Sequence, residues 1–297
     1  MKYIHKLLFL SLILLVLSGC GSGSNSDNID SNWKTGTEGI SLKFLDNSPP
    51  STIYAGDENP LVLEVRNLGN YPDNDDDDLG VTLFFTGFDR NQIVLDYKDK
   101  MSIRGGKTQT RKEGGLEYYE TNFDTYLYDE ASSTRQPIKV TACYPYKTAA
   151  SIDVCVDPNP IKNDEDSCDP GYNVGLGSQA APIAITDINQ ESLKGKVRFT
   201  ITVKNVGPGT VFSGSSCINP EVTDKNIVYV ESVYLGREKM DCLPFDKIRL
   251  SNGKGIITCT LDSLDDLEPA YKTSLGVHLA YNYKNSITKE VTIKRIE

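Results

Sequence analysis

The sequence has few of the residues on which most metal sites and catalytic triads depend. Its 297 residues include one tryptophan, two histidines (His5 and His278) and no C-x-x-C pair. Structural zinc sites need cysteine and histidine ligands at short spacing, so this composition argues against one. A Ser-His-Asp triad would have to use His278, which alternates with apolar neighbours and is predicted to lie on the polar face of a strand.

Positive charge is in the minority. The chain has 31 lysine and arginine residues against 41 aspartate and glutamate residues, which gives a formal net charge of −10. A nucleic-acid-binding domain needs a basic patch or stripe, and none is present, so nucleic acid is not an expected partner. Anionic lipid headgroups would repel an acidic body.

A membrane-spanning helix needs about 20 consecutive apolar residues, and no apolar run in the sequence is that long. The apolar run at residues 7–17 follows two lysines, Lys2 and Lys6, which is the plan of a signal peptide. The run leads into Leu17-Ser18-Gly19-Cys20, a sequence that resembles the lipobox of prokaryotic lipoproteins. The resemblance implies that residues 1–19 form a cleaved signal helix and that Cys20 carries lipid. A plain secretory signal is the alternative.

The segment that follows is rich in glycine, serine and asparagine, and we expect a flexible tether over residues 20–37. These features predict an extracytoplasmic protein that is anchored by lipid on the outer side of the cell membrane. Cleavage would leave 297 − 19 = 278 residues, and the loss of two lysines would move the net charge from −10 to −12.

Strand patterns dominate the rest of the chain, which shows no sustained helical periodicity. Residues 61–65 and 197–203 alternate apolar and polar side chains, wholly or nearly, with the period of two that is typical of strands. Turn-forming runs such as residues 47–50 and 251–255 separate such segments. Short strands with frequent turns predict an all-β protein of antiparallel sheets.

Two blocks of sequence recur at nearly the same spacing. Residues 64–69, which contain an Asn-x-Gly turn, match residues 202–207 at an offset of 202 − 64 = 138. Residues 140–147, which contain a Tyr-x-Tyr pair, match residues 277–284 at an offset of 277 − 140 = 137. Separated blocks with one offset indicate that the chain repeats a structural unit.

The recurrence predicts two tandem domains, at residues 38–156 and 180–297, joined by a linker over residues 157–179. In each copy an early Asn-x-Gly turn, a late Tyr-x-Tyr strand and a final hairpin resemble the immunoglobulin-like domains of the CARDB and NEW3 type. Such domains occur in bacterial and archaeal envelope proteins. The resemblance implies two β-sandwiches without catalytic residues, which act as spacers, adhesion modules or accessory domains.

Besides Cys20, the chain has an even number of cysteines, which predicts disulfides in an exported protein. They are Cys143, Cys155, Cys168, Cys217, Cys242 and Cys259. Cys143 and Cys155 are both absent from the second copy and flank a turn expected at residues 147–150, so we expect them to pair. The other four allow three connectivities, of which we favour Cys242–Cys259 across the hairpin at residues 252–253. That choice leaves Cys168–Cys217.

An acidic run at residues 73–78 is the most unusual segment. Its candidate calcium ligands are Asp73, Asp75, Asp77 and Asp78. The first three have the initial spacing of an EF-hand loop, but Asp78 stands where that loop needs glycine. A solvated acidic loop is the alternative, and no other cofactor is expected.

Together these features predict a non-catalytic surface module that binds another envelope protein or a glycan, or that serves as an adhesion or scaffold module. Tyr118, Tyr119, Tyr126 and Tyr128 are candidates for a patch that stacks on sugars, although strand propensity also enriches tyrosine. Two alternatives stay open. One is an envelope hydrolase or accessory subunit that uses an acidic cleft, and the other is a structural spacer.

Overall fold

The structure, a computed structural model, describes residues 34–74, 76–161, 168–170, 173–262, 264 and 269–296. The predicted signal segment and Cys20 lie outside these residues. In the part of the chain that is described, no helix is long and apolar enough to cross a membrane. The strands in chain order are β1 (Ile40–Phe44), β2 (Thr52–Tyr54), β3 (Glu58–Asn67), β4 (Asp78–Thr86), β5 (Ile93–Leu95), β6 (Lys100–Arg104), β7 (Leu116–Thr125), β8 (Ser133–Val156), β9 (Asn173–Gly175), β10 (Ile183–Leu193), β11 (Lys196–Asn205), β12 (Thr210–Phe212), β13 (Ile227–Leu235), β14 (Glu238–Lys239), β15 (Asp241–Leu243), β16 (Lys247–Arg249), β17 (Lys254–Asp262) and β18 (Tyr271–Lys294).

These strands form three sheets. One sheet of the first repeat has the order β1-β3-β7-β5, and one sheet of the second repeat has the order β15-β17-β11-β10-β9. The third sheet runs β14-β13-β18-β8-β4-β6 and is shared by both repeats. The described strand pairs are antiparallel apart from β2, which pairs with the end of β18 in parallel. The predicted all-β, antiparallel fold is confirmed.

The core follows from the period-two alternation of the strands. In β3, Leu61, Leu63 and Val65 are fully buried while the residues between them are partly exposed. Such side chains form a continuous apolar cluster that includes residues of all three sheets. Each fully buried aliphatic side chain contributes about 1.5–3 kcal/mol relative to an exposed one.

The two longest strands connect the repeats. β8 and β18 each span 24 residues and pair along their whole length, from Ser133 opposite Lys294 to Val156 opposite Tyr271. β4 pairs with the first half of β8, and β13 pairs with the first half of β18. The second half of each long strand therefore lies in the part of the sheet that belongs to the other repeat. The repeats exchange their last strands.

This exchange has a simple internal symmetry. Pro145 lies opposite Asn282 in the β8–β18 pair, and 282 − 145 = 137 is the offset of the sequence repeat. The pair therefore marks the point about which the two repeats are related. The described residues all belong to one compact unit. The boundaries at residues 38–156 and 180–297 stay a prediction about the sequence repeat.

The turn expected at residues 147–150 is wrong, because β8 continues straight through it. Cys143 and Cys155 are 155 − 143 = 12 residues apart on this extended strand, which separates them by about 40 Å at the usual strand rise. A disulfide needs Cα atoms within about 7 Å, so these two cysteines bond elsewhere.

The disulfides join Cys143 to Cys217, Cys155 to Cys168 and Cys242 to Cys259. The predicted Cys242–Cys259 bond is confirmed and links directly opposite residues of β15 and β17. The predicted Cys168–Cys217 bond is wrong. Cys143 lies in the first repeat and Cys217 in the second, so their bond ties the repeats together beside the exchanged strands.

The repeated sequence motifs form one hydrogen-bonded corner in each repeat. The Asn67 Oδ1 atom accepts hydrogen bonds from the Gly69 amide and the Tyr146 hydroxyl, and the Asn67 side-chain amide donates to the Tyr71 carbonyl at 2.8 Å. A Cβ atom on Gly69 would collide with the Tyr146 hydroxyl, so only glycine fits there. This corner explains why Asn-x-Gly and Tyr-x-Tyr recur together.

The second repeat builds the same corner from Asn205, Gly207 and Tyr283. The Tyr283 hydroxyl donates to Asn205 Oδ1 at 3.0 Å, and the Asn205 side chain donates to the Gly209 carbonyl at 3.0 Å.

Candidate binding surfaces

The acidic run lies at the entrance to β4. Asp73, Asp77 and Asp78 are exposed there, and Ser102 Oγ donates to Asp78 Oδ2 at 3.0 Å. Asp75 lies outside the described residues. Among the residues that are described, the structure groups no three histidine, cysteine, aspartate or glutamate side chains that could hold a metal ion. Calcium binding at Asp73, Asp75, Asp77 and Asp78 stays a prediction.

The predicted tyrosine patch is divided by the strand that carries it. Tyr118, Tyr126 and Tyr128 are exposed, whereas Tyr119 is buried and donates to the Lys98 carbonyl. Tyr118 lies near the start of β7 and Tyr126 follows its end, so about eight strand residues, or about 26 Å, separate them. These rings do not form one stacking surface.

His278 is exposed on β18, opposite Ala149 of β8 and Ser232 of β13. This placement agrees with the polar face that the sequence predicts for it.

The Tyr-x-Tyr residues are buried at the centre of the molecule instead of being displayed. Tyr144 and Tyr146 of β8 contact Tyr281 and Tyr283 of β18, with ring centroids 5.9–6.2 Å apart between the strands. Burial raises the pKa of Tyr283 to about 12, and it also raises the pKa values of the other three hydroxyls. These rings stabilise the strand exchange and are not available to a ligand.

One pocket, of about 360 Å³, has two carboxylates in its lining. Asp153 and Asp169 line it together with Lys272, Gln190 and the Cys155–Cys168 disulfide. Both carboxylates are exposed. A hydrolytic carboxylate pair depends on a partly buried acid beside an ionised partner, and no observation in this pocket favours that arrangement.

An exposed apolar loop lies at the free edge of the second repeat's own sheet. Leu243 at the end of β15 is 75% exposed and Phe245, two residues on, is 80% exposed. Ile256 on the neighbouring strand β17 is 50% exposed. We call Leu243, Phe245 and Ile256 the apolar edge. Large apolar side chains that cluster on a soluble surface indicate a contact site.

The apolar edge is braced by a disulfide and bordered by charged residues. Cys242, next to Leu243, is bonded to Cys259 directly across the strand pair. Asp241 and Asp246 flank the loop in the sequence and are exposed, as are Lys247 and Lys254. Sequence reasoning missed this site. The signal it offered was a Leu-Pro-Phe run inside a polar segment and next to a cysteine.

Comparisons with known proteins give no family. No protein-family model matches the chain, and no curated protein matches it. Among solved structures, the chain is similar to the C-terminal domain of the Streptococcus agalactiae AgI/II polypeptide BspA, with 9% identity, a TM-score of 0.17 and coverage of 86% of this chain and 98% of that one.

A second solved structure combines manganese lipoxygenase of Gaeumannomyces graminis with part of zonadhesin of Komagataella pastoris. It has 11% identity, a TM-score of 0.11 and coverage of 86% of this chain and 92% of that one. Both TM-scores are too low to support an argument about fold or function.

Proposed function

We propose that this chain is a non-catalytic surface module, anchored outside the cell membrane by lipid on Cys20, that contacts an envelope protein through its apolar edge. The observation that carries the proposal is the exposure of Leu243 and Phe245, at 75% and 80%, on a disulfide-braced edge strand. Exposed large apolar residues of this kind recur at the centres of protein contacts, where aromatic side chains contribute most of the binding energy.

A protein partner fits this edge better than a lipid surface does. Asp241 and Asp246 border the apolar side chains, and the whole chain has a net charge of −10. The negative net charge would repel anionic headgroups, whereas a protein partner with an apolar pocket and charged groups on its rim would complement the edge and its exposed Asp246 and Lys247. Three exposed side chains support a small contact of the kind that transient complexes form.

The order of strands supports an immunoglobulin-like plan for each repeat. The order β1-β3-β7-β5 corresponds to the A-B-E-D sheet of that fold, and β4, β8 and the exchanged end of β18 correspond to its C-F-G sheet. On the basis of this strand order, we also propose that each repeat is a domain of the CARDB and NEW3 type. Binding or spacing, instead of catalysis, is the usual role of such domains.

The anchor is tested by a single substitution, Cys20→Ala. We expect the wild-type protein to incorporate a labelled fatty acid and to sediment with membranes, whereas Cys20→Ala shows neither behaviour. A wild-type protein that is found in the soluble fraction without label would contradict the anchor.

The contact is tested by placing a photo-crosslinking amino acid at position 245 in living cells. We expect a discrete crosslinked protein band that disappears when Leu243→Ser is added. The matched control places the same probe at position 161, because Ile161 is 82% exposed and is not part of the apolar edge. The same bands from both positions, or none at position 245, would overturn the proposed contact.

A further inference from the structure

A pocket of about 390 Å³ lies beside β12 and β18, under the chain segment that connects β12 to β13. Ile218 is partly exposed in its lining, buried Phe212 lies at its base, and Asn219 and Asn226 also line it. Its two charged residues are both lysines, Lys225 and Lys284. No acidic side chain is present among the described residues that line it, although the chain as a whole is acidic.

The fold places Lys284 in this pocket for identifiable reasons. Its neighbour Tyr283 faces the core, so the alternation of β18 directs Lys284 to the opposite face of the shared sheet. The Cys143–Cys217 disulfide holds the connecting segment against that face. Lys284 Nζ then donates to the Cys217 carbonyl at 2.7 Å and to the Ile218 carbonyl at 3.0 Å.

No carboxylate of the described chain pairs with the lysines of the pocket, although Lys284 Nζ lies 6.0 Å from the centre of the Phe212 ring. An ammonium group has three protons, and Lys284 gives two of them to neutral carbonyls. In the described part of the chain, neither Lys225 nor Lys284 forms an ion pair with a carboxylate. Burial lowers the pKa of Lys284, and the charges of Lys139 and Lys225 lower it further. An anion in the pocket would oppose both effects, because it favours the charged form of the ammonium group.

We infer that this pocket binds an acidic sugar unit, with its carboxylate between Lys225 and Lys284 and its hydroxyl groups on the amides of Asn219 and Asn226. Its volume falls within the range of small-molecule sites, about 300–1,000 Å³. Lysine ammonium groups provide the charge, and the asparagine amides both donate and accept hydrogen bonds, as sugar hydroxyls require. Ile218, which is partly exposed, offers apolar surface to the less polar face of a sugar ring.

The pocket is separate from the apolar edge, since the two share no residue. The inference therefore goes beyond the proposed protein contact. Binding in the pocket should be unchanged in Leu243→Ser, so either idea can fail without the other.

The test is calorimetric titration of the purified full-length protein with glucuronate, an oligomer of glucuronate, glucose and inorganic phosphate at low salt. We expect glucuronate to bind, glucose to bind at least about tenfold more weakly, and added salt to weaken binding. Tighter binding of the oligomer than of the monomer would identify a glycan chain as the source of the sugar. Equal binding of both would identify the free acid sugar.

Two lysine variants connect the binding to the pocket. Lys284→Met should weaken glucuronate binding about tenfold. Lys225→Met, which removes a charge that holds no loop contact, should weaken it about threefold. Lys43→Met on the first repeat is the matched control and should bind as the wild type does.

Three results would overturn the inference. The first is glucuronate that binds no better than glucose. The second is phosphate that binds as well as glucuronate. The third is unchanged binding in both Lys225→Met and Lys284→Met.

Discussion

The two repeats use the same corner but carry different attachments. Asn67 and Tyr146 in the first repeat have the same hydrogen-bonded roles as Asn205 and Tyr283 in the second. The first repeat adds an acidic run at the start of β4. The second adds the apolar edge and the pocket that Lys225 and Lys284 line. Repeated motifs in this chain therefore indicate what holds the fold together, and the candidate binding features lie where the repeats differ.

The repeats also differ in how deeply the shared corner is buried. Asn67 is fully buried, whereas Asn205 is partly exposed. Water can replace lost hydrogen bonds at a partly exposed site more readily than at a buried one. The same substitution should therefore be more damaging in the first repeat.

The largest effect is expected from the disulfide that crosses between the repeats. Cys143→Ala with Cys217→Ala opens a closure of 74 residues, which should cost about 4 kcal/mol of unfolding free energy by the chain-entropy estimate. Cys155→Ala with Cys168→Ala opens a closure of 13 residues and should cost about 3 kcal/mol. Urea denaturation measures both. A larger cost for the second pair would contradict the role given to the crossing disulfide.

The corner asparagines give the next largest difference. Asn67→Ala should lower the free energy of unfolding by about 3 kcal/mol, because it leaves the Tyr71 carbonyl, the Gly69 amide and the Tyr146 hydroxyl without their partner. Asn205→Ala should cost about 1.5 kcal/mol. Urea midpoints with equal m-values measure the difference, and equal costs would show that burial does not distinguish the two corners.

Tyr144 and Tyr281 occupy matching positions but differ in their hydrogen bonds. The Tyr281 hydroxyl bonds with Thr148 Oγ1 at 2.9 Å and accepts from the Ile183 amide, whereas the Tyr144 hydroxyl has no side-chain hydrogen-bond partner in the described chain and lies near the Ile40 backbone. Tyr281→Phe should therefore cost about 1–1.5 kcal/mol, and Tyr144→Phe should be neutral or slightly stabilising. Thermal melting of the two variants tests this, and a destabilised Tyr144→Phe would contradict it.

The smallest effect is a difference in alkaline stability. Burial raises the pKa of Tyr283 from about 10 in the unfolded chain to about 12 in the fold. The contribution of the Tyr283 hydroxyl to the free energy of unfolding is complete below pH 10. It is lost as the pH rises from 10 to 12, because the unfolded state releases the proton first. Between pH 9 and pH 11 the wild type should lose about 1 kcal/mol more than Tyr283→Phe does. Equal losses in urea titrations at these pH values would contradict the raised pKa.

The sequence was sufficient to predict the sheets but not their connection. Alternation located strands such as β3 and β11, and the repeated blocks located the two corners. A hairpin and an exchanged pair of strands have the same local alternation, so periodicity alone does not distinguish them. One signal was available. Residues 147–150 read Lys-Thr-Ala-Ala, which lacks the glycine, asparagine and proline that favour turns.

The candidate sites were harder to predict, because they depend on residues that are distant in sequence. Lys284 meets the carbonyls of Cys217 and Ile218 in a segment that the disulfide to Cys143 holds in place. The exposure of Leu243 depends on β15 being an edge strand, which is a property of the sheet order and not of the local sequence. Composition identified the acidic run but gave no indication of the pocket that Lys225 and Lys284 line.

The most direct test of the strand exchange is a disulfide engineered across it. Thr141 of β8 and Ser286 of β18 lie opposite each other, with their hydroxyl oxygens 2.8 Å apart. In Thr141→Cys/Ser286→Cys, peptide mapping without reduction should recover a bond between positions 141 and 286. A hairpin that turns at residues 147–150 would instead place position 141 beside the chain near residue 156. Failure to form the 141–286 bond would therefore contradict the exchange.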